Sequence, residues 1–221
     1  MNKFLCIVFD VDGTLTQTNE LIFASFNFVA NKYLGKSYTS QEITAMFGPP
    51  DEVAIMNLVG KDNAEVALID FLDFYKSNHT SMAKLYDGVD KLLNYLKQKG
   101  ILLAVFTGKG RLSAMITLEE LGIKKYFDLI VSGSDVVNHK PSSEGIQKVV
   151  DYFGLEKDKV LMVGDGVADI KAAHEAGVPV AAVVWDSYGR EKVEMMSVDF
   201  LFESVGELYA HLKSNINGDV N

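Results

Sequence analysis

Short apolar runs alternate with amphipathic segments along the 221-residue chain. The runs are rich in Val, Ile, Leu and Phe and show no polar alternation, which is typical of strands buried on both faces of a parallel sheet. Six runs have this character: residues 4–9, 101–106, 127–131, 160–163, 178–184 and 198–202. The pattern therefore predicts an α/β fold with a doubly wound parallel (Rossmann-like) sheet core.

Helical periodicity fills most of the segments between these runs. Two segments carry apolar residues at i, i+3, i+4 and i+7, and each stops at a glycine: residues 89–96 before Gly100, and residues 146–153 before Gly154. This spacing places the apolar side chains on one face of a helix, and glycine is a common helix terminator. We expect these helices to cover the faces of the sheet.

Residues 16–82 interrupt the alternation, because they contain only helical signals. Asn19 is a candidate helix cap, Thr39 and Glu42 have the spacing of a capping box, and residues 66–74 form an apolar helical stretch. The segment is too long for a strand-to-helix crossover. We predict that residues 1–15 and 83–221 form the core, and that residues 16–82 form a small inserted α-helical cap domain.

Composition narrows the range of partners. The chain has 21 basic and 30 acidic residues, a net charge of -9 and a pI near 4.9, which argues against nucleic acid as a partner. No apolar run approaches the ~20 residues that cross a bilayer, and no secretory leader follows Lys3. The single cysteine, Cys6, cannot form an internal disulfide. We therefore expect a cytoplasmic protein without membrane partners.

Polar side chains follow three of the predicted strands. They are Asp10 and Asp12 after the first run, Thr107 (followed by Gly108) after the second, and Asp165 and Asp169 after the fourth. Ligands of open parallel sheets bind at the carboxyl ends of the strands, so these residues are expected to meet there. Crowded carboxylates repel one another unless a cation joins them, and oxygen ligands together with a phosphate group suit Mg²⁺.

The chain resembles the haloacid dehalogenase superfamily in four ordered motifs. These are residues 9–15 (Phe-Asp-Val-Asp-Gly-Thr-Leu), Thr107, the pair Lys140 and Pro141, and residues 164–169 (Gly-Asp-Gly-Val-Ala-Asp). Four motifs in order are far more specific than one Asp-x-Asp. The inserted helical segment is similar to the cap of the phosphoglycolate phosphatase-like branch, although that branch usually has Asn where Gly108 stands here.

The resemblance implies a phosphomonoester hydrolase that acts on a small phosphorylated metabolite, either phosphoglycolate-like or a sugar phosphate. Asp10 would be the nucleophile that forms an aspartyl-phosphate, and Asp12 would be the general acid and then the general base. Thr107, with the amide of Gly108, would hold a phosphoryl oxygen. Lys140 would stabilise negative charge on the phosphoryl group and on the nucleophile.

The resemblance also implies Mg²⁺ as the cofactor. Its ligands would be the carboxylates of Asp10 and Asp165 and the backbone carbonyl of Asp12. Asp169 would either orient the groups that bind the ion or bind the ion directly. The ion would let an anionic nucleophile approach an anionic phosphate.

Three alternatives to this function stay open. An inorganic pyrophosphatase of the same fold would use the same groups. A β-phosphoglucomutase-like enzyme would keep Asp12, but such relatives carry a cap histidine where this chain has Ile22, so we expect hydrolysis rather than phosphoryl return. A non-catalytic regulatory or interaction protein would be expected to lack Asp10 or Asp12, and both are present. A monomer and a homodimer are both compatible with the sequence.

Substrate specificity is expected to come from the cap. Residues 47–50 (Phe-Gly-Pro-Pro) are a candidate rigid turn over the site, and hinges are expected at residues 16–19 and 80–85. Residues 16–82 contain 4 basic and 8 acidic side chains, which gives no sign of a strongly anionic leaving group. Lys109 and Arg111 follow Thr107 closely enough to reach a substrate, but at the start of a helix they are expected to be surface charges.

Overall fold

A parallel sheet of six strands forms the centre of the computed structural model, which describes residues 3–187 and 189–216. The strands are β1 (Cys6–Phe9), β4 (Leu102–Phe106), β5 (Leu129–Val131), β6 (Val160–Gly164), β7 (Val180–Val183) and β8 (Phe200–Phe202). They lie side by side in the order β5-β4-β1-β6-β7-β8, and every pairing is parallel. The predicted doubly wound α/β core is confirmed.

Helices cover both faces of this sheet. They are α5 (Val89–Gln98), α6 (Arg111–Glu120), α7 (Glu144–Phe153), α8 (Val167–Ala176), α9 (Arg190–Glu194) and α10 (Val205–Ile216). Strand β1 shows why both faces must be covered: Ile7 and Phe9 pack with α5 and α10, whereas Cys6 and Val8 pack with α7 and α8. Successive side chains of a strand point to opposite faces, so this fully apolar strand is buried on both sides.

Two short strands form a separate antiparallel ribbon away from the main sheet. They are β2 (Thr16–Gln17) and β3 (Lys84–Leu85). Between them lie four helices, which we call the inserted helices: α1 (Asn19–Leu34), α2 (Ser40–Thr44), α3 (Asp51–Val59) and α4 (Ala64–Met82). The ribbon holds the beginning and the end of the inserted segment side by side.

The inserted helices share an apolar cluster of their own. Phe26 of α1 and Phe71 of α4 meet edge to face with ring centroids 5.3 Å apart, and Ile43 and Ile55 complete the centre of the cluster. Ile116 of α6 packs against its margin. No helix within the described ranges is long and apolar enough to cross a membrane.

Of two N-terminal helix caps predicted from the sequence, the one at Thr39 is confirmed and the one at Asn19 is wrong. Thr39 and Glu42 form the predicted capping box at the start of α2. Asn19 was expected to cap α1 but is its first helical residue, and Thr18 occupies the cap position without a capping hydrogen bond. The hydroxyl of Thr18 donates instead to the carboxylate of Asp12. This contact takes the side chain that would otherwise cap the helix.

Candidate active site

Three adjacent strands deliver polar side chains to one edge of the sheet. Asp10 follows β1, Thr107 follows β4 and Asp165 follows β6, and β4, β1 and β6 are neighbours. The strand ladder continues into the first two of these residues, because the amide of Asp10 donates to the carbonyl of Val163 at 2.9 Å and the amide of Thr107 donates to the carbonyl of Val131 at 3.1 Å. Their backbones are therefore fixed by the sheet.

Three carboxylates form a tight cluster at this edge. Asp10, Asp165 and Asp169 each offer an oxygen, and these three oxygens lie within 4.8 Å of one another. Lys140 joins two of them, since its Nζ lies 2.7 Å from Oδ1 of Asp10 and 2.6 Å from Oδ1 of Asp169. Asp165 accepts a hydrogen bond from the hydroxyl of Thr14 at 3.1 Å. The cluster thus has three acidic groups and one buried cation.

Burial makes this cluster electrostatically unfavourable by itself. It raises the pKa of Asp10 to about 7; the nearby Lys140 works against this shift, and the carboxylate of Asp169 adds to it. Burial also raises the pKa of Asp165, and the neighbouring carboxylates of Asp10 and Asp169 raise it further. Since one ammonium cannot neutralise three carboxylates, the donor set fits a divalent cation with a preference for oxygen ligands, such as Mg²⁺.

A glycine brings the turn after β1 close to this cluster. Gly13 has φ of 79°, and a Cβ at this position would lie 2.4 Å from Oδ2 of Asp165. Both the backbone conformation and the contact therefore exclude a side chain. The turn between Asp12 and Thr14 consequently passes directly beside the carboxylate of Asp165.

Asp12 faces a different set of partners. Its side chain does not belong to the three-carboxylate cluster. One oxygen accepts from the hydroxyl of Thr18, and the other lies 3.3 Å from Nζ of Lys109. For Asp12, this leaves the backbone carbonyl as the candidate metal ligand, while the carboxylate is directed at other polar groups of the site.

Lys109 is buried, so the expectation of a surface charge is wrong for it. Its side chain is 5% exposed, and its Nζ lies 4.7 Å from the ring centroid of Tyr75 in α4. Burial lowers the pKa of Lys109, but Asp12, Tyr75 and Asp51 outweigh that effect and the pKa is raised. Arg111, by contrast, is half exposed and pairs with Asp135 at 2.8 Å.

Asp51, which is half-buried, is a second polar group of the site that the sequence analysis missed. It is the first residue of α3, and it accepts hydrogen bonds from the amide of Gly110 at 3.0 Å and from the hydroxyl of Ser113. Burial raises its pKa, although Lys109 and these hydrogen bonds lower it in part. An acidic residue at the start of a helix normally indicates only a favourable interaction with the helix dipole, so no local pattern marked Asp51 as a site residue.

A cavity of about 290 Å³ lies between the sheet edge and the inserted helices. Its floor includes Asp10, Asp12, Thr107, Gly108 and Lys140, along with Asp165 and Asp169. Its opposite wall comes from α1, α3 and the segment between α2 and α3. Phe47, Gly48 and Pro49, from the predicted specificity turn, belong to that wall. All seven residues selected from the sequence as site residues therefore line one cavity.

Comparison with known proteins agrees with this arrangement. The family model of haloacid dehalogenase-like hydrolases matches residues 7–183. The chain is 32% identical over 202 residues to pyrophosphatase PpaX of Halalkalibacterium halodurans, covering 91% of this chain and 94% of the relative. It is 30% identical over 211 residues to pyrophosphatase PpaX of Bacillus cereus strain B4264, covering 96% and 97%.

A solved structure shows the same fold. CbbY from Rhodobacter sphaeroides, solved in complex with phosphate, superimposes with a TM-score of 0.80 at 21% identity, over 94% of this chain and 96% of CbbY. The family match spans most of the chain and includes all four motifs. The chain therefore belongs to the haloacid dehalogenase-like hydrolases, as one of the family's phosphatases.

Proposed function

We propose that this protein is a magnesium-dependent phosphomonoester hydrolase that acts on a small phosphorylated metabolite through an aspartyl-phosphate. The observation that carries this proposal is the placement of Asp10. Its carboxylate lies in a cavity beside two further carboxylates and the ammonium of Lys140. A carboxylate nucleophile, a cation site and a fixed positive charge are the groups that phosphoryl transfer needs.

Asp10 and Asp12 would divide the chemistry between them. The carboxylate of Asp10 attacks phosphorus, the bond from phosphorus to the leaving oxygen breaks, and Asp12 gives a proton to that oxygen. Asp12 then takes a proton from water, whose oxygen attacks the phosphorus of the aspartyl-phosphate. The second step releases inorganic phosphate and restores Asp10. Thr18 and Lys109 hold the carboxylate of Asp12 in place for both proton transfers.

Phosphoryl oxygens would be held by Thr107, Gly108 and Lys140. All three line the cavity, and the Lys140 ammonium contacts Asp10 directly. The hydroxyl oxygen of Thr107 already accepts from the amide of Lys109 at 3.3 Å, which orients its O–H as a donor. Fixed donors stabilise the charge that develops on the transferred group.

Asp10, Asp165 and the backbone carbonyl of Asp12 would hold Mg²⁺, with Asp169 supporting them. Once bound, the ion supplies positive charge that offsets the repulsion between the nucleophile and the phosphoryl group. Lys140 also contacts Asp169, and the amide of Gly166 donates to Asp169 at 3.0 Å. These contacts fix the orientation of the Asp169 carboxylate beside the ion.

Residues 16–82 would act as a cap on a core formed by residues 1–15 and 83–221. The inserted helices have a separate apolar cluster and form one wall of the cavity. Hinges at residues 16–19 and 80–85 would let this cap close over the substrate, exclude bulk water and gate product release. A cytoplasmic location and a monomeric or homodimeric state stay predictions from the sequence.

The first test is release of p-nitrophenolate from p-nitrophenyl phosphate. We expect turnover in the wild type with Mg²⁺, no turnover with EDTA, and a loss of about 10³-fold or more in Asp10→Asn. Asp158→Asn is the matched control, because Asp158 is exposed, pairs with Lys159 in a short helical turn and lies outside this cavity. The proposal is wrong if the wild type is inactive with Mg²⁺ or if Asp10→Asn keeps wild-type activity.

Inorganic pyrophosphate is the second candidate substrate. It is favoured by the relatives at 30–32% identity that carry the name pyrophosphatase. A phosphomutase is less well supported, because Ile22 lines the cavity as an apolar side chain and offers no proton acceptor to a second hydroxyl. Including pyrophosphate in the first assay separates the two hydrolase activities.

A further inference from the structure

The charges that line the cavity leave no free cation for a second anionic group. Among the described lining residues the basic side chains are Lys109 and Lys140, and the acidic ones are Asp10, Asp12, Asp51, Asp165 and Asp169. Lys140 contacts two of these carboxylates at 2.7 and 2.6 Å. Lys109 contacts Asp12 at 3.3 Å and is attracted by Asp51. Both lysines are therefore already neutralised by carboxylates.

The cavity wall opposite the sheet edge is mainly apolar. It consists of Ile22, Phe26, Met46, Phe47, Gly48, Pro49 and Ala54, together with the neutral polar residues Asn19 and Thr44 and the carboxylate of Asp51. The hydroxyl of Thr44 donates to the carbonyl of Ser40 at 2.7 Å, so this O–H is not available to donate to a ligand. The side-chain amide of Asn19 makes no hydrogen bond within the described part of the chain and offers both a donor and an acceptor.

From this lining we propose that the leaving group of the natural substrate is uncharged and carries an apolar face. The substrate is then a phosphomonoester of a small neutral alcohol rather than pyrophosphate or a phosphorylated carboxylic acid. This inference rests on the proposed function. It runs against the activity in the names of the relatives.

The physical reason is the cost of removing a second negative charge from water. A carboxylate or phosphate on the leaving group would lie against an apolar wall and near carboxylates, without an ammonium or guanidinium to pair with. A neutral leaving group incurs no such cost, and its apolar face gains from contact with Phe47, Met46 and Ile22. The cavity of about 290 Å³ is at the small end of ligand sites, which limits the alcohol to a small molecule.

Matched substrate pairs test this inference directly. In the first pair, 2-hydroxyethyl phosphate is compared with 2-phosphoglycolate, which differ in one terminal group. In the second, phenyl phosphate is compared with 4-carboxyphenyl phosphate. Pyrophosphate is measured alongside, with full-length protein and saturating Mg²⁺. We expect kcat/KM to be at least about tenfold higher for the neutral member of each pair, and higher for phenyl phosphate than for pyrophosphate.

A charge inserted in the wall should change this preference. Phe47 is 43% exposed at the rim of the cavity, so Phe47→Lys places an ammonium there with little burial of the new side chain. We expect this variant to shift the neutral-to-carboxylated ratio by at least about fivefold toward the carboxylated member. The control is Val66→Lys, since Val66 is 58% exposed on α4 and does not line the cavity. That variant should keep the wild-type ratio.

The outcomes separate this inference from the proposed function. If Asp10-dependent hydrolysis occurs but the carboxylated members or pyrophosphate are preferred, the inference is overturned and the proposed function stands. Equal rates within both pairs, or the same ratio in Phe47→Lys and Val66→Lys, also overturn it. If no phosphate compound is hydrolysed with Mg²⁺, both the inference and the proposed function are overturned.

Discussion

The Nζ of Lys109, which follows the core strand β4, lies 3.3 Å from Oδ2 of Asp12, and the same ammonium lies above the ring of Tyr75 in α4. One buried cation therefore joins the proposed acid-base group to an inserted helix. Asp51 at the start of α3 is also within its field. The position of the inserted helices and the charge around Asp12 are thus linked through Lys109.

Lys109→Met should lower both stability and activity. Removing the ammonium leaves Asp12 and Asp51 without their cation, and breaking a buried ion pair from one side costs about 3 kcal/mol in the free energy of unfolding. Urea denaturation measures this loss. Arg111→Met is the control, because the exposed pair with Asp135 should contribute less than about 1 kcal/mol. Equal losses in the free energy of unfolding would mean that the ion pairs of Lys109 stabilise the protein no more than the exposed pair of Arg111.

Magnesium binding should strengthen with pH. Burial raises the pKa of metal-free Asp10 to about 7, so this carboxyl holds a proton at pH 6 and is ionised at pH 8. Because the ion requires ionised carboxylates and the pKa of Asp165 is raised as well, binding releases at least one proton, and the affinity should rise at least about tenfold between these pH values. Isothermal titration calorimetry in buffers of different ionisation enthalpy measures both quantities. An Mg²⁺ affinity that does not change with pH would contradict this prediction. The Asp165→Asn variant should bind Mg²⁺ weakly at both pH 6 and pH 8.

Gly13→Ala should disrupt the metal site, whereas Gly35→Ala should not. Both glycines have positive φ, at 79° and 62°. A Cβ at Gly13 would lie 2.4 Å from the Asp165 carboxylate, but a Cβ at Gly35 meets nothing within 4 Å. We expect both variants to lose about 1 kcal/mol of stability from backbone strain. Only Gly13→Ala should lose Mg²⁺ affinity, by about tenfold or more; the same affinity in both variants would refute the close contact.

His79→Gln should reduce the loss of stability in mild acid. His79 of α4 is fully buried, its Nε2 lies 3.3 Å from the hydroxyl of Thr117, and burial lowers its pKa, with Lys109 adding to the effect. The unfolded chain therefore binds a proton that the folded chain resists. The contribution of neutral His79 to the free energy of unfolding is fully present above about pH 6.5, the ordinary pKa of histidine. Below that pH the contribution decreases, by at most about 1.4 kcal/mol per pH unit.

Urea denaturation at pH 7.5 and 5.5 in both proteins measures this effect. The wild type should lose more stability than His79→Gln between these pH values, and the difference isolates His79 from the carboxyl groups that titrate in both. Equal losses would mean that His79 takes up its proton as readily in the folded chain as in the unfolded one.

The sheet and its polar edge were predictable because they follow from local patterns. An apolar run without alternation identifies a buried strand, and the residue after the run is then at the ligand edge. Asp10, Thr107 and Asp165 were found in this way. The observed strands β7 and β8 are shorter than their apolar runs, because β7 begins only at Val180 and β8 only at Phe200.

Lys109 and Asp51 were not predictable because their partners lie far away in the sequence. Lys109 is buried by Tyr75 of α4 and paired with Asp12, and Asp51 is bonded to Gly110 and Ser113. No periodicity within either local segment shows that an inserted helix will pack against the end of β4. A lysine two residues after the motif threonine was the one local sign of Lys109, and a lysine there is equally typical of an exposed helix start.

Of the six strands of this sheet, β1 is the first to be synthesised and lies in the middle, with Cys6 paired to Leu102 on one side and Val160 on the other. At translation rates of about 5–20 residues per second, the second of these partners leaves the ribosome roughly 8–30 s after β1. During that interval an apolar strand has an unpaired edge, which favours association with other chains. Asp169 emerges later still, so the proposed metal site is complete only after all of residues 10–169 have been synthesised.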